Sequence, residues 1–231
     1  MKKRSLIFLL CLFLVGCNQS ADIKTSLDAI ISEEVNNGDI YRQDHNSVYF
    51  SYYLPSDIYI IEASRNVSIL SFNQDRILMN LNITSIIADQ NKTKNGFFES
   101  TISYKKDYLI YQNKGIYRDY DDIECHYDFE VYEINEHYLL NLKTDDMCYY
   151  AYTTIDNVEL LTKRLFSLAE SMSMNRELII SDYSNFDAID YRRQQINLFE
   201  TIIPQEGKVE DIIVDKDKHN STNSQNENIA Q

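Results

Sequence analysis

CHYDFEVYEINEHYLLNLKTDDMCYYAYTTI, residues 125–155, holds three apolar runs divided by two short polar links, Asn135-Glu136 and Thr144-Asp145-Asp146. Within CHYDFEV, Cys125, Tyr127, Phe129 and Val131 alternate with His126, Asp128 and Glu130. A period of two places the first set on one face of a strand and the second set on the other. Links this short join antiparallel neighbours, because a parallel pair needs a crossover of about a dozen residues or more. The stretch therefore predicts a three-strand meander, and with it an antiparallel sheet at the centre of the fold.

Working outward, the period changes after Asp156. Val158, Leu161, Leu165, Leu168, Ala169 and Met172 recur at helical spacing, so a long helix is expected near 156–174. Asp156 followed by Glu159 fits a capping box, with Asp in place of Ser or Thr. Beyond it, ELIISDY reads as a last strand, and DYRRQQINLFETIIP as a helix or docking segment in which Ile196, Phe199 and Ile203 share a face. Residues 215–231 carry too little apolar surface to offset the entropy of ordering and are expected to be disordered.

Upstream, DYLIYQN and FFESTISY read as further strands, and SIIADQNKTKNG as a turn or short helix running into a loop. VSILSFN and RILMNLNIT flank Gln74-Asp75 as a hairpin. Met79, Leu81 and Ile83 alternate there with Asn80, Asn82 and Thr84, which predicts a sheet with one face in water. VYFSYYLP starts the strand-rich region. Ile23, Leu27, Ile30, Ile31 and Val35 form an amphipathic helix stopped by Asn37-Gly38. Together these describe a single α+β domain over residues 23–214, an antiparallel sheet packed by an N-terminal helix and a long later one.

The order helix, strands, antiparallel strands, long helix resembles the PsbP/MOG1 type of α+β domain over roughly residues 23–180, with YYLPSD at 52–57 where such domains leave their first strand. The resemblance rests on element order and carries no functional residue onto this chain.

The amino end has a different character. Lys2, Lys3 and Arg4 precede an apolar stretch from Leu6 to Val15, then Gly16 and Cys17. A basic start, a short apolar run and a small residue before the cut make a secretory signal peptide over residues 1–16, and about 10 apolar residues are too few to span a bilayer. Leu14-Val15-Gly16-Cys17 resembles the lipobox of bacterial lipoproteins. The resemblance implies a diacylglyceryl group on the Cys17 sulfur and cleavage just before it, leaving residues 17–22 as a lipid-anchored tether. Two acyl chains hold a protein on a membrane far more firmly than one.

Without residues 1–16 the chain has 19 basic and 36 acidic residues, a net charge of −17. That balance repels phosphate backbones and anionic headgroups, so nucleic acid is excluded as a partner. Its 215 residues suit one domain rather than the two lobes of a solute-binding lipoprotein. The 18 tyrosines accompany many Asn, Ile and Asp residues, a bias that AT-rich coding produces without functional demand.

Catalytic patterns are missing from the sequence. Five scattered glycines make no phosphate loop, and His45, His126, His137 and His219 lack ligand spacing. No GxSxG or Ser-x-x-Lys pattern occurs. His126 beside Cys125 invites a metal reading, but the alternation sends Cys125 inward and His126 outward. DYDDIE at 119–124 can hold a hard cation loosely, yet it has neither the spacing nor the glycine of a calcium loop and reads better as a solvated acidic turn. Arg192-Arg193 can mark a docking point in an otherwise acidic chain. No cofactor is called for.

Cys125 and Cys148 remain once Cys17 is acylated. Export favours a disulfide, and a loop of about 24 residues would gain roughly 3 kcal/mol from chain entropy. In a plain meander, however, a strand separates them, and two strand spacings of about 4.8 Å exceed the roughly 7 Å that a bridge tolerates. A bond needs the middle strand to stop short, so both outcomes stay open.

These readings describe an extracytoplasmic module held on the outer side of a bacterial cell membrane through Cys17. It acts as a non-catalytic interaction or accessory factor for another envelope protein. The alternative is a ligand-binding module or hydrolase acting on cell-wall or extracellular material. An interaction module should expose an apolar patch, and an enzyme a concave pocket with convergent polar groups.

Overall fold

The computed structural model describes residues 19–37, 41–90 and 106–183. Seven strands form the main sheet: β3 (Ile58–Ala63), β4 (Val67–Phe72), β5 (Asp75–Leu81), β6 (Leu109–Arg118), β7 (Glu124–Ile134), β8 (His137–Thr144) and β9 (Met147–Thr154). Their order is β3-β4-β5-β9-β8-β7-β6, and every neighbouring pair is antiparallel. Short strands β1 (His45–Asn46), β2 (Phe50–Tyr52) and β10 (Ser173–Met174) make a second sheet in the order β1-β2-β10. Helices α1 (Gln19–Asn37), α2 (Ile83–Gln90), α3 (Ile155–Glu170) and α4 (Arg176–Tyr183) complete an α+β architecture, with a 3-10 turn at Lys106–Tyr108 before β6.

The meander forms as its alternation dictates. Tyr127 pairs with Thr144 and Ile134 with His137 across β7 and β8, and Lys143 pairs with Cys148 across β8 and β9. The two-residue turn Asn135-Glu136 has φ of 49° and 68°, the left-handed conformation that matches strand twist in tight hairpins. The β4–β5 hairpin turns at Asn73-Gln74, one residue earlier than the expected Gln74-Asp75, with Asn73 at φ 53°. Asp75 belongs to β5, where its carboxylate accepts the Thr153 hydroxyl and the Asn157 amide at 2.6 and 2.8 Å.

One face of the sheet carries the helices. Ile23, Leu27 and Ile31 of α1 and the expected α3 stripe from Val158 to Ala169 enter a single core with Ile77, Met79, Phe129, Leu140 and Tyr149. The α3 start differs from expectation. Thr154 occupies the N-cap position without a side-chain cap bond, and Asp156 sits inside the first turn, where a negative charge complements the helix dipole. Glu159 is drawn instead to α1, where it accepts the Ser26 hydroxyl. The helix stops at Glu170, before the expected 174.

Three further expectations are corrected. The tether expected over 17–22 is already helical from Gln19, because α1 begins there. ELIISDY is helical, not a strand. Asn175 caps α4 by accepting the Leu178 N–H at 3.1 Å, and the run Leu178-Ile179-Ile180 is too short for its periodicity to separate strand from helix. The second face of the sheet is not wet. Asn80 and Asn82 are 3 % and 0 % exposed, and Val67, Ile69, Leu78, Leu139 and Tyr150 form a second apolar cluster there. FFESTISY, DYRRQQINLFETIIP, Arg192-Arg193, His219, the tail at 215–231 and Cys17 lie outside the described residues.

The α1–α3 contact contains an uncomfortable carboxyl. Glu34 is satisfied by Lys163 at 3.0 Å and by the Ser167 hydroxyl at 3.2 Å. Burial and the charge of Glu34 push Glu170 up to about 8, and its Oε1 has no hydrogen-bond partner among the described residues. Below the ordinary value of 4.5, folded and unfolded chains are both protonated and nothing is lost. As pH rises toward 8 the unfolded chain ionises while the folded one resists, and stability falls by about 1.4 kcal/mol per unit. Glu170→Gln should therefore melt several degrees above wild type near pH 9 and together with it near pH 4. Equal shifts at both pH values would contradict this account.

Candidate functional site

Two regions of the fold concentrate unusual side chains. The first lies at the end of the sheet where β6 turns into β7. Asp119 organises that turn: its Oδ1 accepts the backbone N–H groups of Asp121 and Ile123 at 3.0 and 2.9 Å. Asp122 takes φ 62°, and Arg118 holds both Asp122 and Glu124 at 2.8 and 2.9 Å. Asp121 accepts the Ser173 hydroxyl. The acidic run DYDDIE is thus a turn whose charges are spent within the protein, and no cluster of metal-ligating side chains occurs among the described residues.

Behind this turn lies a buried polar group of Tyr117, Cys125, Thr144, Asp146 and Tyr149. Asp146 is the turn residue between β8 and β9, and Arg176 of α4 reaches it at 2.8 Å. Burial raises the Asp146 carboxyl, and the Arg176 charge opposes that rise. Burial, reinforced by the nearby Asp119 and Asp146, pushes the Cys125 thiol up to about 12, and both tyrosines are raised well above their ordinary value. A nucleophile needs the opposite shift, because the thiolate is the reactive form. The ion pair instead clasps α4 to the β8–β9 turn, and the thiol and phenols fill the space beneath it. Cys125 points inward and His126 outward, its Nδ1 3.2 Å from Asp145, as the alternation requires.

Cys148 is the chain neighbour of Tyr149, but its side chain is on the opposite face of the sheet from this cluster. It faces the second apolar cluster, whereas Cys125 faces the first, and both are free thiols. The register explains the separation. Cys148 pairs with Lys143, which pairs with Asp128, so Cys148 is level with Asp128, three residues along β7 from Cys125 and on the other face. An odd offset in a period of two always parts two side chains this way. Burial pushes Cys148 up to about 11.

The second region is the outer edge of β3. Of its six residues only Ile58 is buried; Tyr59 is 67 % exposed, Ile61 52 % and Ile60 40 %. Val48, also exposed, lies close to the far end of this strand, because the Ser47 hydroxyl bonds the carbonyls of Ser64 and Arg65. Single exposed apolar side chains are ordinary, but three in succession on an edge strand are a ready contact surface. A β-bulge between Ile60 and Glu62 breaks the ladder with β4 and leaves Ile61 as the extra residue. Bulges of this kind twist an edge away from open-ended pairing while re-aiming a side chain. The sequence named no residue of this patch. IYIIEA reads as any apolar strand, and exposure follows from its being the last strand in the order.

No protein-family model matches the chain, and no curated protein matches it significantly.

Proposed function

We propose that this protein is a lipid-anchored extracytoplasmic module that docks another envelope protein through the β3 edge. The observation that carries the reading is the run Tyr59-Ile60-Ile61, large apolar side chains presented to solvent on the strand that ends the sheet among the described residues. The Cys17 signal supports the location. The mature charge of −17 supports a partner whose contacting segment is apolar and neutral or basic, since a second acidic surface would be repelled. The bulge divides the strand into two short stretches in register with β4, Ile58–Ile60 and Glu62-Ala63, so the contact is made by side chains and a short length of backbone rather than by a long added strand.

The test is photocrosslinking in intact cells from a reactive residue placed at position 59 or 61, with the exposed position 160 on α3 as control. A discrete adduct from 59 and 61, absent from 160 and lost when the neighbouring Ile60 is changed to Asp, is the expected result. Identical weak adducts from all three positions, or none, would overturn the reading.

A further inference from the structure

We propose that the second face of the seven-stranded sheet is covered by residues 91–105 of this same chain, the connection between α2 and β6. The face is closed to solvent: Leu78, Leu139, Cys148 and Tyr150 are all at most 1 % exposed. Among the described residues no helical one belongs to that cluster, whereas all four described helices place apolar residues in the first. Side chains standing on one sheet face do not shield each other from above, so a second layer is required. None of the described elements supplies it.

Chain topology selects the occupant. β5 and β6 run parallel in one sheet, four strand positions apart, because each step from β5 through β9, β8 and β7 to β6 is antiparallel. The connection between parallel strands of one sheet is right-handed in nearly all proteins. Which face a right-handed path crosses follows from residue chirality. For an L-residue on an upward strand with its side chain toward the viewer, the N–H and C=O point right. Leu81 points into the first core and its N–H donates to Asn66 beside β4, while the next N–H, of Asn82, donates to Asp146 beside β9. Seen from the helical face with β5 upward, β4 is therefore on the right and β6 lies far to the left. A connection over the helical face would be left-handed; over the second face it is right-handed.

Distance and chemistry agree. Leu109 is level with Arg76, at the opposite end of the sheet from Leu81. The path crosses about 19 Å laterally and about 17 Å along the strands, and 15 residues reach up to about 50 Å. The segment offers Phe97, Phe98, Ile102 and Tyr104 to the apolar cluster and the hydroxyls of Ser100, Thr101 and Ser103 to its polar members. One such member waits on that face: Asn141 donates to Glu130, but its buried Oδ1 has no hydrogen-bond partner among the described residues.

Cys148 and Cys125 report on the two faces separately. In the full chain, replacing residues 94–105 by a Gly/Ser sequence of equal length should speed maleimide alkylation of Cys148 by about tenfold or more and leave Cys125 unchanged. Unchanged protection of Cys148 would overturn the proposal. Should both thiols react faster, signalling general unfolding, a photoreactive residue at position 98 of the otherwise native chain decides. Adducts on peptides containing Leu78, Leu139 or Tyr150 support the assignment. Adducts on α1 or α3, or capture of those second-face peptides from position 199 and not from 98, sink it.

Discussion

Phe166→Ala is expected to cost about 3–5 kcal/mol, the range for deleting a buried phenylalanine. Phe166 is fully buried on α3 and meets two rings of β7 edge-on, Tyr127 at 5.2 Å and Phe129 at 5.7 Å between centroids. Each such pair contributes roughly 0.5–1.5 kcal/mol beyond area burial. The ring is the main aromatic bridge between the long helix and the sheet, and its loss leaves a cavity that neither rigid element can collapse to fill. Domains of this size lose about 2–4 °C per kcal/mol, so thermal melting should fall by about 10 °C. Leu160→Ala, on the exposed side of the same helix, should change it by no more than a degree or two. A Phe166→Ala protein that melts within about 3 °C of wild type would show that α3 is not held as described.

Cys17→Ser has the largest expected effect on the proposed role. On the proposed reading the thiol would accept the lipid and processing would follow lipidation, so a hydroxyl in its place should leave an uncut precursor still carrying residues 1–16. Fractionation and intact mass read this directly. A serine variant that is cut to the same length and held as firmly on the membrane would refute the assignment of Cys17.

What could be read from the sequence follows a physical boundary. Periodicity reports which side chains share a face, so CHYDFEVYEI, HYLLNLK and MCYYAYTTI predicted the meander, and Val158 to Ala169 the long helix. Periodicity does not report what lies over a face. The asparagines at 80 and 82 look like a wet side, yet they are buried, because burial is set by what packs over a face and not by the alternation along the strand. Val67 and Ile69 against Leu70 and Phe72 carried the missed signal: apolar residues on both sides of one strand mark a sheet covered twice. The disulfide question turned on register, a one-residue matter that spacing alone leaves undecided. The exposed run at 59–61 was invisible for a related reason, since strand order, not strand composition, makes an edge.

The early start of α1 bears on how the molecule would meet other proteins. Only Asn18 separates Cys17 from Gln19, the first residue of α1, and Ile23 of that helix is buried. From Gln19 to Ile23 the helix rises about 6 Å. On the proposed reading such an attachment would work as a stub rather than a rope. The domain would be confined to a thin layer beside the headgroups, its acidic surface turned away from them, and its search for a partner would run in two dimensions with one restricted set of orientations. Lengthening the stub with a flexible spacer would then dilute the local concentration of the β3 edge without touching a single residue of it.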